Sequence, residues 1–152
     1  MGQKVDLLRE RGLSASELKL LATFSTEEHF AAGSVVFREG EVGDKLYIIL
    51  DGNVRISKYI PGVGEEALAI LERGDFFGEM SLIDGSPRSA TAKAHGDDTK
   101  VLRISKERLD EVLQSATGGA IELLSILCRL LSGRLREIND KIVQWKYMSG
   151  GF

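Results

Sequence analysis

Arg88 and Glu79 are the side chains in this sequence whose types and setting best suit the capture of a ligand. They lie in the stretch Phe76-Phe77-Gly78-Glu79-Met80-Ser81-Leu82-Ile83-Asp84-Gly85-Ser86-Pro87-Arg88-Ser89-Ala90. It reads as a strand end, a glycine, a short helical turn, a tight loop and the start of the next strand. A helix N-terminus offers unpaired N–H groups and a positive dipole end, which suit an anion. Gly78, Glu79, Met80 and Ser81 open that turn, and Gly78 lets the backbone approach a ligand because it lacks a Cβ. Arg88 returns across the loop with a planar fork of donors that matches two phosphate oxygens. Ser89 adds a hydroxyl donor beside it. Glu79 is an acceptor, which serves a phosphate poorly and a sugar hydroxyl well. A phosphate and a sugar hydroxyl held together imply a nucleotide. The plainer roles are an ion pair of Arg88 with Glu79 or Asp84, and Glu79 as a helix cap.

The rest of the composition narrows the chemistry. The two histidines, His29 and His95, are isolated and Cys128 is the single cysteine. So few soft ligands argue against a zinc, haem or iron–sulfur site, and one cysteine rules out an intrachain disulfide and fits a reducing cytoplasm. No catalytic base or nucleophile stands out, so the expectation is binding rather than catalysis, with no metal. Net charge is −3, from 20 basic and 23 acidic residues. This balance argues against direct nucleic-acid binding. No apolar run is long enough for a bilayer, and Met1 to Arg11 lacks the apolar core of a signal peptide. A chain of 152 residues with 43% hydrophobic residues suits one domain with a core of its own.

The elements that must position the site follow from turn residues and periodicity. Ser14-x-x-Glu17 reads as a capping box for a helix over Glu17 to Phe24. Short β-rich runs then follow at Val35–Phe37, Lys45–Leu50, Asn53–Tyr59, Glu66–Leu71, Ser89–His95 and Lys100–Ile104, separated by glycine turns. Such spacing indicates a barrel or sandwich. Ser105 caps a helix that buries Leu109, Val112 and Leu113. A long helix spans about Ala120 to Lys146. Its residues Ile121, Leu124, Cys128, Leu131, Leu135, Ile138, Ile142 and Trp145 alternate three and four apart, as a dimerising heptad seam requires. A second row, Leu123, Leu127 and Leu130, turns polar at Arg134, Glu137 and Lys141. The first row is expected to meet a second copy of the chain and the second row the barrel.

Gly78-Glu79-Met80-x-Leu82 followed by Pro87-Arg88-Ser89-Ala90 resembles the phosphate-binding cassette of the cyclic nucleotide-binding domains. These occur in catabolite-activator-type regulators, in regulatory subunits of cyclic-nucleotide-dependent kinases and in cyclic-nucleotide-gated channels. Gly33-x-x-x-Phe37-x-x-Gly40 and Tyr47-Ile48-Ile49-Leu50-Asp51-Gly52-Asn53-Val54 resemble the opening strands of that family's β-roll, so the resemblance runs from about Ala31 to Ile104. It implies an α+β fold, a small antiparallel, jelly-roll-like β-roll with helices at both ends. The expected layout is one domain over 1–152: an N-terminal helical segment over 12–30, the β-roll over 31–104 with its cassette at 76–90, and C-terminal helices over 105–146. The implied function is a cyclic nucleotide sensor, with cyclic AMP first and cyclic GMP as the alternative. Serine at position 89 matches the cyclic-AMP-using activators without settling the base.

By the same resemblance Ile56, Leu68 and Leu71 are candidate walls for the base, and equally candidates for the core. Matching the long helix to that of the activators sets Ile138 and Asn139 where polar residues reach the base. Asn139 has the donor and acceptor for a base edge, whereas Ile138 departs from the pattern. The long helix resembles the one through which such activators dimerise. Other readings are a relic scaffold without ligand, a cupin-like enzyme, and a piece of a larger regulator or channel. The cupin would need clustered His and carboxylate ligands, and the few residues after Trp145 leave no room for a helix-turn-helix.

Overall fold

The computed structural model describes residues 15–115 and 118–149, without the side chains of residues 15–18, 83 and 149. The expected cap Ser14 lies outside the described residues. The elements run α1 (Ala15–Phe24), β1 (Thr26–Phe30), β2 (Val35–Phe37), β3 (Lys45–Asp51), β4 (Val54–Ile60), β5 (Gly64–Leu71), β6 (Phe76–Phe77), α2 (Glu79–Asp84), β7 (Thr91–Ala94), β8 (Thr99–Ser105), α3 (Lys106–Gln114) and α4 (Gly118–Ser149). The strands form two antiparallel four-stranded sheets, ordered β1-β8-β3-β6 and β2-β7-β4-β5. This is the expected β-roll, with helices before and after it.

The run Leu46-Tyr47-Ile48-Ile49-Leu50 on β3 explains how two cores share one sheet. Successive strand residues point to opposite faces. Leu46, Ile48 and Leu50 face the helices, where they meet Leu21, Leu102, Ile104, Leu109, Leu123, Ile126 and Leu130. Tyr47 and Ile49 face the inside of the roll, with Phe37, Val54, Phe77, Ala92 and Val101. The two-residue strand β6 does the same with Phe76 on the helix side and Phe77 inside. A continuous apolar run is what a strand buried on both faces needs.

Residues 26–30 correct the expected N-terminal helical segment. They form β1, paired antiparallel with β8 from Thr26↔Arg103 to Phe30↔Thr99. Thr-Glu-Glu-His-Phe carries little apolar signal because β1 is an edge strand with a polar face. Pairing with a distant strand, not local preference, decides its conformation. An ion pair between Arg103 and Glu28, at 3.4 Å, ties the two strands.

Ser105 caps α3 by accepting from the Arg108 N–H at 3.1 Å, and Leu109 and Val112 are buried beneath it. The 32 residues of α4 make a rod about 48 Å long at 1.5 Å per residue. Ala120, Leu123, Ile126, Leu127 and Leu130 are buried against the roll. Beyond Arg134 every described side chain of α4 is exposed.

Candidate functional site

Gly78 opens α2 with φ 83°, a left-handed turn that bends the chain out of β6 and into the helix. Gly85 closes it, donating its N–H to the Ser81 carbonyl at 3.0 Å. A cleft of about 320 Å³ lies between this cassette, strands β4 and β5, and α4. Gly78, Glu79, Met80, Ser81, Arg88 and Ser89 all line it. Ser81 is buried, while Met80 and Ser89 stand at the exposed mouth.

Arg88 is only 5% exposed. Its Nη1 donates to the Gly78 carbonyl at 2.8 Å and its Nη2 to the Lys45 carbonyl at 2.9 Å. Its Cζ sits 4.0 Å from the centre of the Phe37 ring. Below it Tyr47 stacks on Phe77 with ring centres 5.0 Å apart. Burial draws the guanidinium pKa down, and Tyr47, Asp44, Glu41 and Glu79 oppose this by favouring the cation. A guanidinium stays charged at any working pH. Two of its five N–H donors go to these carbonyls, leaving others for a ligand. Burial likewise raises the Tyr47 pKa.

A buried cation with unspent donors, a carboxylate on the same cleft and an apolar wall opposite are what a nucleotide needs. Residues 27–116 match the model of the family described as the cyclic nucleotide-binding domain. The chain belongs to that family. Among the relatives of this cyclic nucleotide-binding domain is the CRP-like cAMP-activated global transcriptional regulator of Mycobacterium tuberculosis. It is 35% identical over 132 residues, covering 87% of this chain and 57% of the relative. The cyclic AMP receptor protein of Thermus thermophilus is 34% identical over 126 residues, covering 83% of this chain and 56% of the relative. The chain thus spans little more than half the length of these relatives. Among solved structures, a cyclic nucleotide-binding domain from Methylobacillus flagellatus superposes with a TM-score of 0.80 at 30% identity, covering 94% of this chain and 82% of that one.

On the opposite side of the cleft, Ile56 and Leu71 stand beside Ala69 and Ile70. Ile56 and Leu71 also pack on the inner core, so both readings of them hold. Leu68 does not join them, and its side chain is 57% exposed. Ile56 pairs with Ala69 and the next residue, Ser57, with Ala67, so Leu68 is the extra residue of a β-bulge. Such a residue has no cross-strand partner and its aim is changed. Alternation read from sequence misses that shift.

Helix α4 lends Arg134, Glu137, Ile138 and Lys141 to the cleft, and not Asn139. Positions i, i+3, i+4 and i+7 share one face, and Asn139 is turned away from it by one helical step. Sequence pattern alone does not mark Arg134 as a site residue. Its Nη1 lies 3.5 Å from Glu79 Oε1 and its Nη2 donates to the Phe76 carbonyl. Its Cζ is 3.9 Å from the centre of the Phe76 ring. The one signal that could have found it is the point where the buried row Leu123, Leu127, Leu130 turns polar.

The seam residues are spread along α4, and one of them, Ile138, also lines the cleft. Ile121, Leu124, Cys128, Leu135, Ile138, Ile142 and Trp145 are exposed and Leu131 is partly buried. Among the described residues no group of three or more His, Cys, Asp or Glu gathers as for a metal, and no helix is long and apolar enough to cross a membrane.

Proposed function

We propose that the domain senses cyclic AMP, with cyclic GMP as the second candidate, by reversible binding in the cleft between the cassette and α4. The cyclic phosphate accepts from Arg88, from the first N–H groups of α2 and from Ser89. The ribose hydroxyl donates to Glu79. The base gains from burial against Ile56, Ala69 and Leu71 under Ile138. One observation carries this reading: Arg88 and Glu79, a cation and a carboxylate, open onto one cleft whose far wall is apolar. Relatives named for cyclic AMP support that choice of ligand.

Binding acts as a switch because Glu79 touches the ligand on one side and Arg134 of α4 on the other. A ligand that holds Glu79 better in one helix arrangement shifts the population toward it. The exposed stripe of α4 pairs with a second copy in a parallel coiled coil, since apolar residues at heptad spacing on a free rod call for a partner.

Calorimetry with cyclic AMP, cyclic GMP and linear AMP tests the ligand. At about a hundred times Kd a ligand specific for the folded form adds roughly 2.7 kcal/mol, read as a melting shift. Linear AMP should shift it less; equal shifts would remove the cyclic-phosphate argument, and no binding at all would leave a scaffold. Sedimentation tests the pairing. Leu131→Glu should yield monomers, because a lone charge is costly in a buried seam. A wild-type chain that is monomeric at micromolar concentration with and without nucleotide sinks the dimer. Mild oxidation should cross-link Cys128 to its twin, and a dimer that resists this is not parallel and in register.

A further inference from the structure

The geometry points to Gly43 as the residue that positions the Arg88 guanidinium for a phosphate, an inference that rests on the phosphate role of Arg88 proposed above. Gly43 lies in the loop before β3 and is buried. Its φ is outside the left-handed region, unlike that of Gly33 and Gly40 nearby. A left-handed φ therefore does not explain the glycine at 43, and the lack of a side chain there answers a need for space. A Cβ at 43 would stand 2.3 Å from Arg88 Nε, 2.5 Å from Arg88 Cζ and 2.7 Å from Ser81 Cβ. At Gly33 and Gly40 a Cβ would meet nothing within 4 Å. Those two glycines serve turns; Gly43 serves the guanidinium.

A second glycine also lies close to the guanidinium. A Cβ at Gly78 would stand 2.7 Å from Arg88 Nη1. The guanidinium thus lies against two glycines and on the Phe37 ring, with its donors on the Gly78 and Lys45 carbonyls at 2.8 and 2.9 Å. A methyl group at 43 drives Nε and Cζ away, and a shift of about 1 Å takes both hydrogen bonds out of range. Gly43 never touches the ligand. It holds the donor fork at the one depth where two carbonyls orient it and its remaining N–H groups face the cleft.

The test measures cyclic AMP and adenosine affinities and melting temperatures for the wild type, Gly43→Ala, Arg88→Ala and the double variant. Gly43→Ala should weaken cyclic AMP by about tens of fold, as for one lost charge-assisted hydrogen bond. Adenosine carries no phosphate, so its affinity should not move. In the Arg88→Ala background Gly43→Ala should change little, because the group it displaces is gone. If Gly43→Ala alone fails to fold, the double variant should still fold. Equal losses for cyclic AMP and adenosine would overturn the inference, as would the same fold-loss in both backgrounds or a double variant that cannot fold, which would put the clash at Ser81. Wild-type binding by Gly43→Ala alongside a failed Arg88→Ala overturns the role of Gly43 only. Wild-type binding by Arg88→Ala removes the phosphate reading and this inference with it.

Discussion

At the cassette end of the cleft Arg88 is buried, spent in part on two backbone carbonyls and seated on an aromatic ring. At the α4 end Ile138 and Lys141 are exposed, as is every described side chain of the helix beyond Arg134. The first end is built before any ligand arrives, so little ordering entropy is left to lose there. The second end has to be completed, by the ligand, by movement of α4 or by a second copy. Affinity should therefore reside mainly with phosphate and ribose. Base preference should be weak and should depend on how α4 sits.

Arg88→Ala breaks the built end and should have the largest effect. Removing one member of a buried charged pair costs roughly 2–5 kcal/mol, or some tens to thousands of times in Kd. The melting temperature should fall as well, because the Gly78 and Lys45 carbonyls lose their donor, at about 1–3 kcal/mol for each group left unsatisfied. Calorimetry and thermal unfolding read the two losses separately. Arg88→Lys should recover only part, since an ammonium offers no fork. An Arg88→Ala protein that melts like the wild type would mean that the cassette is not preorganised by this side chain.

Arg134→Ala cuts the link between the two ends. It removes the partner of Glu79 and the donor to the Phe76 carbonyl. Affinity should fall by about tenfold for cyclic AMP and cyclic GMP alike, as for one or two partly buried hydrogen bonds. A loss confined to one base would move Arg134 from the ribose side to the base side. Ser89→Ala probes the border between phosphate and base more finely. If its hydroxyl meets only phosphate, both cyclic nucleotides should weaken by about 1 kcal/mol. A loss for cyclic GMP alone would make position 89 a reader of guanine. Leu68→Ala should do least: its bulge position keeps it out of the cleft, so measured affinity should stay that of the wild type. A loss equal to that of Leu71→Ala would mean that the bulge is absent in solution.

Much of the built end is legible in the sequence, because its parts are close along the chain. Gly78, Glu79 and Arg88 belong to one loop, and a left-handed glycine, a helix start and a returning arginine form a local device. The double burial of β3 is legible in a run without polar breaks. Other features depend on distant contacts. The edge strand β1 exists through its pairing with β8, and its five residues show no strong strand pattern. Leu68 leaves the wall through a one-residue bulge that shifts the strand's alternation. Asn139 loses its expected place because the helix turns a different face, bearing Arg134, Ile138 and Lys141, to the cleft.

Turn chemistry and periodicity act between near neighbours, so the order of residues marks short strands between glycine turns, the Gly78, Glu79 and Arg88 loop and the two apolar rows of the long helix, while the β-roll itself comes from the family resemblance. Three features come from the folded arrangement instead: how deep Arg88 sits, that Gly43 must lack a side chain to admit it, and that Glu79 answers to Arg134 across the cleft. Gly43 and Lys45 come from the entry to β3, Gly78 and Arg88 from the cassette, and Arg134 from a helix much later in the chain. No local pattern encodes their distances, which close-packing of the whole domain sets to within tenths of an ångström.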